Sequence, residues 1–480
     1  MNSFSEKNNY LIKNTKIFAI SNLATKLISF LLIPLYTYCL NTSEYGTIDL
    51  LFTIVSVILP LFTFNIAESI YRFSLDKDCD RKDVYNIGFA CIKFCLVSSI
   101  IIFPVLHFFP KYYEYRYYIY LLLNSSAIFT ISSANLKGNE KLKEYAVGNI
   151  LNTIFIITLN IIFLKFMGMK IQGYFLAFIL SYILSSLYCI LVNIEKYSFK
   201  KIKLNVKLLK AMLKYSVVLI PNSFLWWIID SSDRVMITYY DGIEINGLYA
   251  ISYKIPAIIF AVAGIFNQAW VFSAIREKDD KDNVTHANEI FNFFASFMIF
   301  IAFIILLFLK PIFKLLLSSN YYDAWLFVPI LLCGSIFLTF SNFLSASYNT
   351  YKDSKGLLLS SLFAAIFNFA LNFLLIPYFN AYGAAIATCI SYFLVFLYRI
   401  KDTQKYLKIR FQYNNYLSLF LLIMSIIAIY FGNIVAYVTI LGAFIIFIIL
   451  NINFFKDIMK FILIFLKRGN VRWCYVEKNV

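Results

Sequence analysis

Four basic side chains lie inside long apolar stretches of this sequence, and they are the residues best suited to chemistry. They are Lys26, Lys93, Arg234 and Lys254. A charge in the hydrocarbon core of a membrane costs about 3 kcal/mol on insertion scales, so such residues usually face a wet cavity. An anionic cargo would need cations there, because phosphate charges left unpaired at low dielectric are strongly destabilised. We therefore interpret the four residues as substrate-binding cations of a cavity.

Two of these cations also allow a structural interpretation. Arg234 follows Asp230 by four residues and adjoins Asp233, so it is equally well placed for an ion pair along one helix. Lys254 is able to extend its amine along its own stem toward the membrane surface. Asp230 and Asp233 are therefore possible supporting residues of the site.

The spacing of the remaining charges gives further predictions. Lys26 and Lys93 have no acidic residue three or four positions away, which favours a cavity-facing role for both. Asn22 lies one helical turn before Lys26 and is a possible supporting residue. Glu68 and Arg72 have the spacing of an ordinary helical ion pair, although they also remain possible supporting residues.

Nothing in the sequence indicates catalysis or metal binding. His107 and His286 are far apart, no CxxC pair occurs among the eight cysteines, and no GxxxxGK[ST] phosphate loop is present. We expect no catalytic residue, no metal and no cofactor, and hence a transporter rather than an enzyme. Among the many aromatic residues, most of which should anchor helices at the interfaces, we select Trp226, Trp227 and Trp270 as candidates for cavity lining.

The elements that must position these residues are transmembrane helices. The chain is 61% hydrophobic and only 14% charged, which excludes a water-soluble fold. Since one span takes about 20 apolar residues, the chain is predicted to be an all-α integral membrane protein of about 14 spans. Most Lys and Arg residues fall in alternate connections, which predicts that both termini are cytoplasmic. The net charge of +17 is thereby explained without nucleic acid.

An internal repeat predicts two related halves. Residues 143–182 align with residues 355–392, with a Leu-Asn pair, a glycine and a Ser-Tyr pair in the same order. The shift of six spans is even, so the halves should be parallel repeats around a central cavity. We expect six-helix bundles over 1–200 and 215–400, a basic cytoplasmic linker over 201–214, and two extra helices with a cytoplasmic tail over 401–480.

Three stretches resemble one family. They are LLIPLYTYCLNTSEYGTIDL (31–50), SSDRVMITYYDGIEINGLYAISYKI (231–255) and LNFLLIPYFNAYGAAIATCISY (371–392). Together they are similar to the polysaccharide-type flippases, in the superfamily that also holds multidrug (MATE) exporters and the peptidoglycan lipid flippase. The resemblance implies a MATE-like fold with alternating access, in the plasma membrane of a bacterium.

The resemblance also implies a cargo, undecaprenyl-pyrophosphate-linked oligosaccharide for O-antigen, capsule or exopolysaccharide synthesis. Implied partners are membrane lipids and the polymerase and chain-length machinery of the same pathway. A MATE-type drug or cation antiporter is the alternative, and Asp230 and Asp233 are the acids that would serve it. A membrane polysaccharide polymerase is less favoured, because the outer loops are too short to hold an acceptor and its chemistry.

Overall fold

A computed structural model describes residues 30–76, 79–193, 204–276, 283–351, 353–432 and 434–456 of the chain. Lys26 and Asn22 lie outside the described residues. The described part is helical and contains no strand. Its α-helices, in chain order, are α1 (Ile33–Cys39), α2 (Thr42–Phe62), α3 (Ile66–Ser74), α4 (Arg81–Ser98), α5 (Ile102–His107), α6 (Arg116–Gly138), α7 (Leu142–Asn160), α8 (Lys170–Val192), α9 (Val206–Val217), α10 (Ile220–Tyr240), α11 (Ile243–Ser252), α12 (Pro256–Arg276), α13 (Asn283–Leu316), α14 (Val328–Tyr351), α15 (Ser354–Asp402), α16 (Tyr413–Ala428) and α17 (Ile434–Leu450).

These helices confirm the predicted all-α membrane fold. Within the described ranges, 11 helical stretches are long and apolar enough to cross a membrane. One of them contains α15, which reverses at Asn380, where φ is 53°, and folds back so that the amide of Asn368 lies 3.5 Å from the hydroxyl of Thr388. A stretch of 52 residues that contains such a reversal is long enough for two spans. The number of stretches therefore differs from the number of spans. The number 14 therefore stays a prediction.

Matching residues of the sequence repeat occupy matching environments. Asn160 ends α7 and Asn372 lies in the first arm of α15, and both side chains are fully buried. Ser181 and Ser391 are also buried, and each donates a hydrogen bond to the carbonyl four residues earlier. Small polar residues of this kind stabilise helix contacts inside a membrane. The repeated residues therefore occupy equivalent helix-packing positions in the two halves.

The two halves meet closely where α2 packs against α11. We call this the outer end, following the orientation that the loop charges predict. Gly46 and Gly247 lie at the contact, and the side-chain amide of Asn246 donates to the carbonyl of Gly46 over 3.0 Å. A Cβ at Gly46 would overlap the carbonyl oxygen of Ile243, and one at Gly247 would overlap that of Thr42. Only glycine permits so close an approach of the two backbones.

A tyrosine of the second half closes the same end. The hydroxyl of Tyr321 lies 2.7 Å from the carbonyl oxygen of Asn41 and 3.2 Å from that of Leu40, at the end of α1. Ser318 donates to the carbonyl of Thr37 over 2.6 Å. These bonds give backbone carbonyls at and near the turn between α1 and α2 side-chain donors from the second half. The outer end is thus held together by contacts between the halves.

Helix α9 continues into the first long helix of the second half but packs on the first half. Met212 is fully buried, and Leu208 and Leu209 pack against the same cluster of α3, α4 and α6 residues. Ser69 of α3 donates to the carbonyl of Met212 over 2.6 Å. The lysines of α9 are Lys207, Lys210 and Lys214. This amphipathic helix occupies the described part of the predicted 201–214 linker, whose bounds, like those of the two bundles, stay predictions.

Hydrogen bonds of side-chain amides hold α16 and α17 against α13. Ser296 donates to the side-chain oxygen of Asn415 over 2.8 Å, and the amide of Asn415 donates to Asn292 over 2.9 Å. Asn451, just beyond α17, lies 3.1 Å from the Ser296 hydroxyl and donates to Ser418 over 2.9 Å. Such interhelical bonds are a main source of helix association where lipid supplies no hydrophobic drive.

In the connection between α14 and α15, Asp353 gives a testable pH dependence. Its carboxylate accepts from the backbone N–H of Gly356 over 2.9 Å and from the Tyr406 hydroxyl over 2.8 Å, and Lys405 lies 3.3 Å away. These contacts hold the pKa of Asp353 below its ordinary value, with the Gly356 bond the largest cause. A lowered pKa in the folded state stabilises the fold above the unfolded value of about 3.9.

We therefore expect Asp353→Asn to lower the thermal midpoint at neutral pH, and the difference from the parent to shrink as pH falls through the lowered pKa. Melting curves in detergent between pH 3 and 7 measure this. Tyr406→Phe removes one of the donors and should show part of the same effect. A difference that stays constant down to pH 3 would contradict the assignment.

Candidate functional site

Of the predicted cations, Arg234 on α10 forms an ion pair between the two halves. Its Nε atom lies 3.0 Å from the Oδ2 atom of Asp49 on α2, with only 14% and 16% of the two side chains exposed. The guanidinium also donates to the backbone carbonyl of Asp230 over 2.9 Å and stands 4.9 Å from the ring centre of Tyr253. The carboxylate that pairs with Arg234 is thus Asp49 rather than Asp230, which corrects the helical pair expected from spacing.

The two acids of α10 differ in environment. Asp233 is fully buried and accepts a hydrogen bond from the hydroxyl of Tyr249 over 2.8 Å. Asp230 is exposed to the cavity described below and accepts from the hydroxyl of Tyr392 over 3.0 Å. Tyrosine hydroxyls that donate to a carboxylate stabilise its charge. Asp233 is therefore part of the packing, whereas Asp230 is available to a ligand.

Lys254 completes the cluster. It is half-buried at the turn between α11 and α12, directly after Tyr253, whose ring centre lies 4.9 Å from the Arg234 guanidinium. The described cluster thus combines two cations, Arg234 and Lys254, with three carboxylates, Asp49, Asp230 and Asp233. Among the described residues, the carboxylates of this cluster outnumber its cations, because Lys93 lies elsewhere and Asp49 joins from α2, 185 residues before Arg234. Lys26, another of the predicted cations, lies outside the described residues.

The cluster borders a cavity of about 470 Å³ between α10, α12 and α14. Asp230 and Arg234 line one part of it, and the amides of Asn267 and Asn342 line another. The buried Oδ1 atom of Asn267 has no hydrogen-bond partner among the described residues. A cavity of this size with a few polar groups is typical of a small-ligand site. Its amides and charges suit a ligand with hydroxyl and ionic groups.

The three tryptophans selected from the sequence have different positions. Trp226 lines the cavity. Trp227 donates its indole N–H to the carbonyl of Thr53 over 3.0 Å, which adds a contact between the halves. Trp270 is buried and stacks on Phe343 with the ring centres 4.6 Å apart. Of the three tryptophans, only Trp226 lines the cavity, where Tyr253 and Phe260 also contribute rings.

The other predicted site residues lie elsewhere. Lys93 is exposed on α4, with its amine 5.0 Å from the ring centre of Phe89, and it does not line this cavity. Glu68 and Arg72 are both exposed on α3, and no ion pair joins them. The structure therefore brings together Arg234, Lys254, Asp230 and Asp233 and leaves these three residues apart. Their roles in transport stay predictions.

Sequence reasoning missed a second buried arginine. Arg399 is only 1% exposed, and its guanidinium donates to the Ser360 hydroxyl over 3.1 Å and to the Ser341 carbonyl over 3.2 Å. It also lies 3.5 Å from the side-chain oxygen of Asn342, a cavity residue. In the sequence, Arg399 follows the end of an apolar run, whereas α15 continues to Asp402. Asp49 was missed as well, although an acid inside an apolar stretch is itself a signal.

We expect Arg399→Ala to destabilise the protein by about 2–4 kcal/mol, because it leaves buried acceptors on α14 and α15 without a donor. Thermal or denaturant unfolding in detergent measures the loss. Lys401→Ala is the matched control, since Lys401 is exposed on the same helix and should change stability by less than about 0.5 kcal/mol. Equal stability of both variants would contradict a structural role for the Arg399 bonds.

Comparison with known proteins agrees with this fold. A family profile described as "Polysaccharide biosynthesis protein" matches residues 11–275, more than half of the chain. An uncharacterized membrane protein of Methanocaldococcus jannaschii is 24% identical over 254 residues, which cover 49% of this chain and 48% of that protein. The chain thus matches about half the length of this curated relative.

Solved structures share the fold at low identity. The lipid II flippase MurJ in an inward closed conformation has a TM-score of 0.68 at 15% identity, covering 94% of this chain and 100% of that chain. An inward-facing MATE family multidrug transporter has a TM-score of 0.63 at 14% identity, covering 81% and 97%. The family match together with these two neighbours, the second a transporter of the MOP superfamily, confirms the resemblance seen in the sequence. The chain is a multi-pass membrane protein with the fold of these transporters, and it belongs to the polysaccharide biosynthesis protein family.

Proposed function

We propose that the protein is a flippase that moves undecaprenyl-pyrophosphate-linked oligosaccharide repeat units across the bacterial plasma membrane. The position of Arg234 carries this proposal, because the same guanidinium lines the polar cavity and forms the contact between the halves. A ligand that binds Arg234 therefore acts on the contact that must open in alternating access. The family and the fold support transport of a lipid-linked cargo. The chemical identity of that cargo is our proposal.

The cavity offers a separate partner for each part of such a cargo. Arg234 lines the cavity and Lys254 directly follows the lining residue Tyr253, and these two are the proposed cations for a pyrophosphate, which needs charge-assisted donors when it leaves water. Asn267 and Asn342 provide amide donors and acceptors for sugar hydroxyls. With both termini in the cytoplasm, the cargo would enter from the inner side and leave after the outer end opens. The polymerase and chain-length machinery of the pathway would then use the product.

The decisive experiment is deletion of the gene in its host, followed by mass analysis of undecaprenyl-linked saccharides and of surface polysaccharide. Accumulation of complete lipid-linked repeat units together with loss of surface polymer is the expected result. Restoration by the parent gene, but not by a frameshifted copy expressed at the same level, is the control. Unchanged lipid intermediates would overturn the proposal.

A MATE-type cation antiporter is the second candidate, and one observation favours it. The three carboxylates outnumber the two cations, and the exposed Asp230 carboxylate lines the cavity. Such a site attracts a cationic drug more readily than a pyrophosphate. Unchanged lipid intermediates combined with a changed sensitivity to cationic drugs, lost again in Asp230→Asn, would identify this activity.

A further inference from the structure

Arg399 is a buried charge whose partners in the described part of the chain are neutral. Its side chain is 1% exposed, and no ion pair joins it to a carboxylate of a described residue. The one acid of α15, Asp402, pairs instead with Lys405 over 3.1 Å. A guanidinium buried without a carboxylate is costly. Inside a membrane protein, such a charge is by default a candidate for a role in transport.

The Arg399 guanidinium fixes the orientation of the Asn342 side chain. A guanidinium carries N–H donors and no acceptor, so the amide atom that faces it must be the oxygen. The Oδ1 atom of Asn342 lies 3.5 Å from the guanidinium, and the same side chain lines the polar cavity. The amide nitrogen, at the other corner of this planar group, is therefore left to donate its N–H groups to a ligand in the cavity.

This arrangement favours an anionic ligand group at Asn342. The positive charge of Arg399 stands behind the amide and is shielded from water, so its field acts through a medium of low dielectric. The field polarises the amide and makes its N–H groups stronger donors. An anionic oxygen that accepts from them forms a charge-assisted hydrogen bond and also supplies the counter-charge that Arg399 lacks among the described residues.

Asn342 and Arg234 lie at different depths of the polar cavity. Arg234 is about 9 Å along the helix from Tyr240, which ends α10 at the outer end. Asn342 is about 21 Å along the helix from Val328, which begins α14 just after the outer segment that contains Tyr321. The cavity therefore offers two separate positions for anionic oxygens, one nearer the outer end and one nearer the inner side.

We infer that Asn342 is a second anion-binding point of the polar cavity and that Arg399 is the positioning residue behind it. Two groups of the proposed cargo carry suitable oxygens, the pyrophosphate and the carboxylate of an acidic sugar. A cargo that enters from the inner side brings its pyrophosphate past Asn342 before it reaches Arg234. With the pyrophosphate at Arg234, an acidic sugar would place its carboxylate at Asn342. This inference rests on the proposed flippase function.

Asn342→Asp tests the point while Arg399 stays in place. The new carboxylate has nearly the shape of the amide and gives the buried guanidinium an anionic partner, so the thermal midpoint in detergent should equal or exceed that of the parent. The cavity loses its N–H donors and gains an acid, so the Kd for the anionic cargo should rise about tenfold or more. A purely structural Arg399 predicts the same stability change with an unchanged Kd.

Variants of the arginine provide the rescue and the control. Arg399→Gln removes the charge, whereas Arg399→Lys keeps it, so the lysine variant should weaken cargo binding less than the glutamine variant. Lys401→Gln removes an exposed charge from the same helix and should bind the cargo like the parent. Equal losses in Arg399→Lys and Arg399→Gln, both measured on folded protein, would contradict an electrostatic role for Arg399.

Three probes identify the anion, each titrated against the full-length protein in detergent. They are undecaprenyl diphosphate, a lipid-linked oligosaccharide of neutral sugars, and the same oligosaccharide with one hexuronic acid. Weaker binding of all three by Asn342→Asp assigns the point to the pyrophosphate, and weaker binding of the acidic saccharide alone assigns it to the sugar carboxylate. Equal affinity of parent and variant for all three would overturn the anion-binding point.

The outcomes separate the two proposals. If the parent flips lipid-linked oligosaccharide in vesicles and Asn342→Asp binds all three probes as the parent does, the anion-binding point fails and the flippase function stands. If the parent binds none of the three probes but binds tetraphenylphosphonium, and Asn342→Asp binds this cation more tightly, the proposed flippase function fails and the anion-binding point with it.

Discussion

Arg234→Ala is expected to reduce transport at least a hundredfold and to destabilise the protein by about 3 kcal/mol. The variant loses the cation that lines the cavity and leaves the carboxylate of Asp49 without its partner 3.0 Å away. Removal of one member of a mostly buried ion pair costs about 3–5 kcal/mol, and the partial exposure of this pair favours the lower value. Flipping in vesicles and thermal unfolding in detergent measure the two effects.

A double variant separates the two roles of Arg234. Asp49→Asn with Arg234→Gln removes both charges, so it should recover much of the lost stability, as expected for residues in direct contact. It should remain inactive, because no cation lines that part of the cavity. Parent-level transport by a double variant would show that Arg234 is structural only. Lys93→Ala, made in parallel, tests the sequence-based prediction that this exposed lysine also contributes, and Lys26→Ala does so for the first span.

Gly247→Ala is expected to prevent closure of the outer end and to slow transport at least tenfold. The added Cβ would overlap the carbonyl oxygen of Thr42, and Gly46→Ala would act from the other side against Ile243. Neither obstacle is a flexible side chain, so α2 and α11 must separate. A Thr37→Cys reporter in a Cys39→Ser background measures closure, because Thr37 is buried at this end. Its labelling by a membrane-impermeant thiol reagent should become faster.

Gly442→Ala provides the control for this second prediction. A Cβ at Gly442 on α17 meets nothing within 4 Å, so transport and reporter labelling should match the parent. An unchanged transport rate and an unchanged labelling rate in Gly247→Ala would show that the outer contact tolerates the extra atom.

The sequence was sufficient to predict the fold because a bilayer permits few solutions. Apolar runs of about 20 residues must form helices, since every backbone group has to be satisfied within the segment. The repeat could be recognised because polar residues are costly inside a bilayer. Asn160 and Asn372 are such residues, and both are fully buried at matching positions of the two halves. The helix count was harder, since reversals such as that at Asn380 need only one residue with positive φ.

The candidate site was predictable only in part. Arg234 and Lys254 stood out because a cation in an apolar run is rare. The partner of Arg234 could not be derived from spacing along one helix, since Asp49 approaches from α2 in the other half. Arg399 could not be recognised from the sequence, because the end of an apolar run does not mark the end of a helix that remains buried in protein.

The position of α9 has a mechanical consequence. This helix is bound to the first half through Ser69 and the cluster around Met212, while α10, which follows it in the chain, belongs to the second half. Only Val218 and Leu219 separate the two helices, and Pro221 follows in the first turn of α10. If the halves rock against each other, this two-residue joint must bend. In such a motion α9 would stay bound to the first half and would keep the start of α10 attached to it.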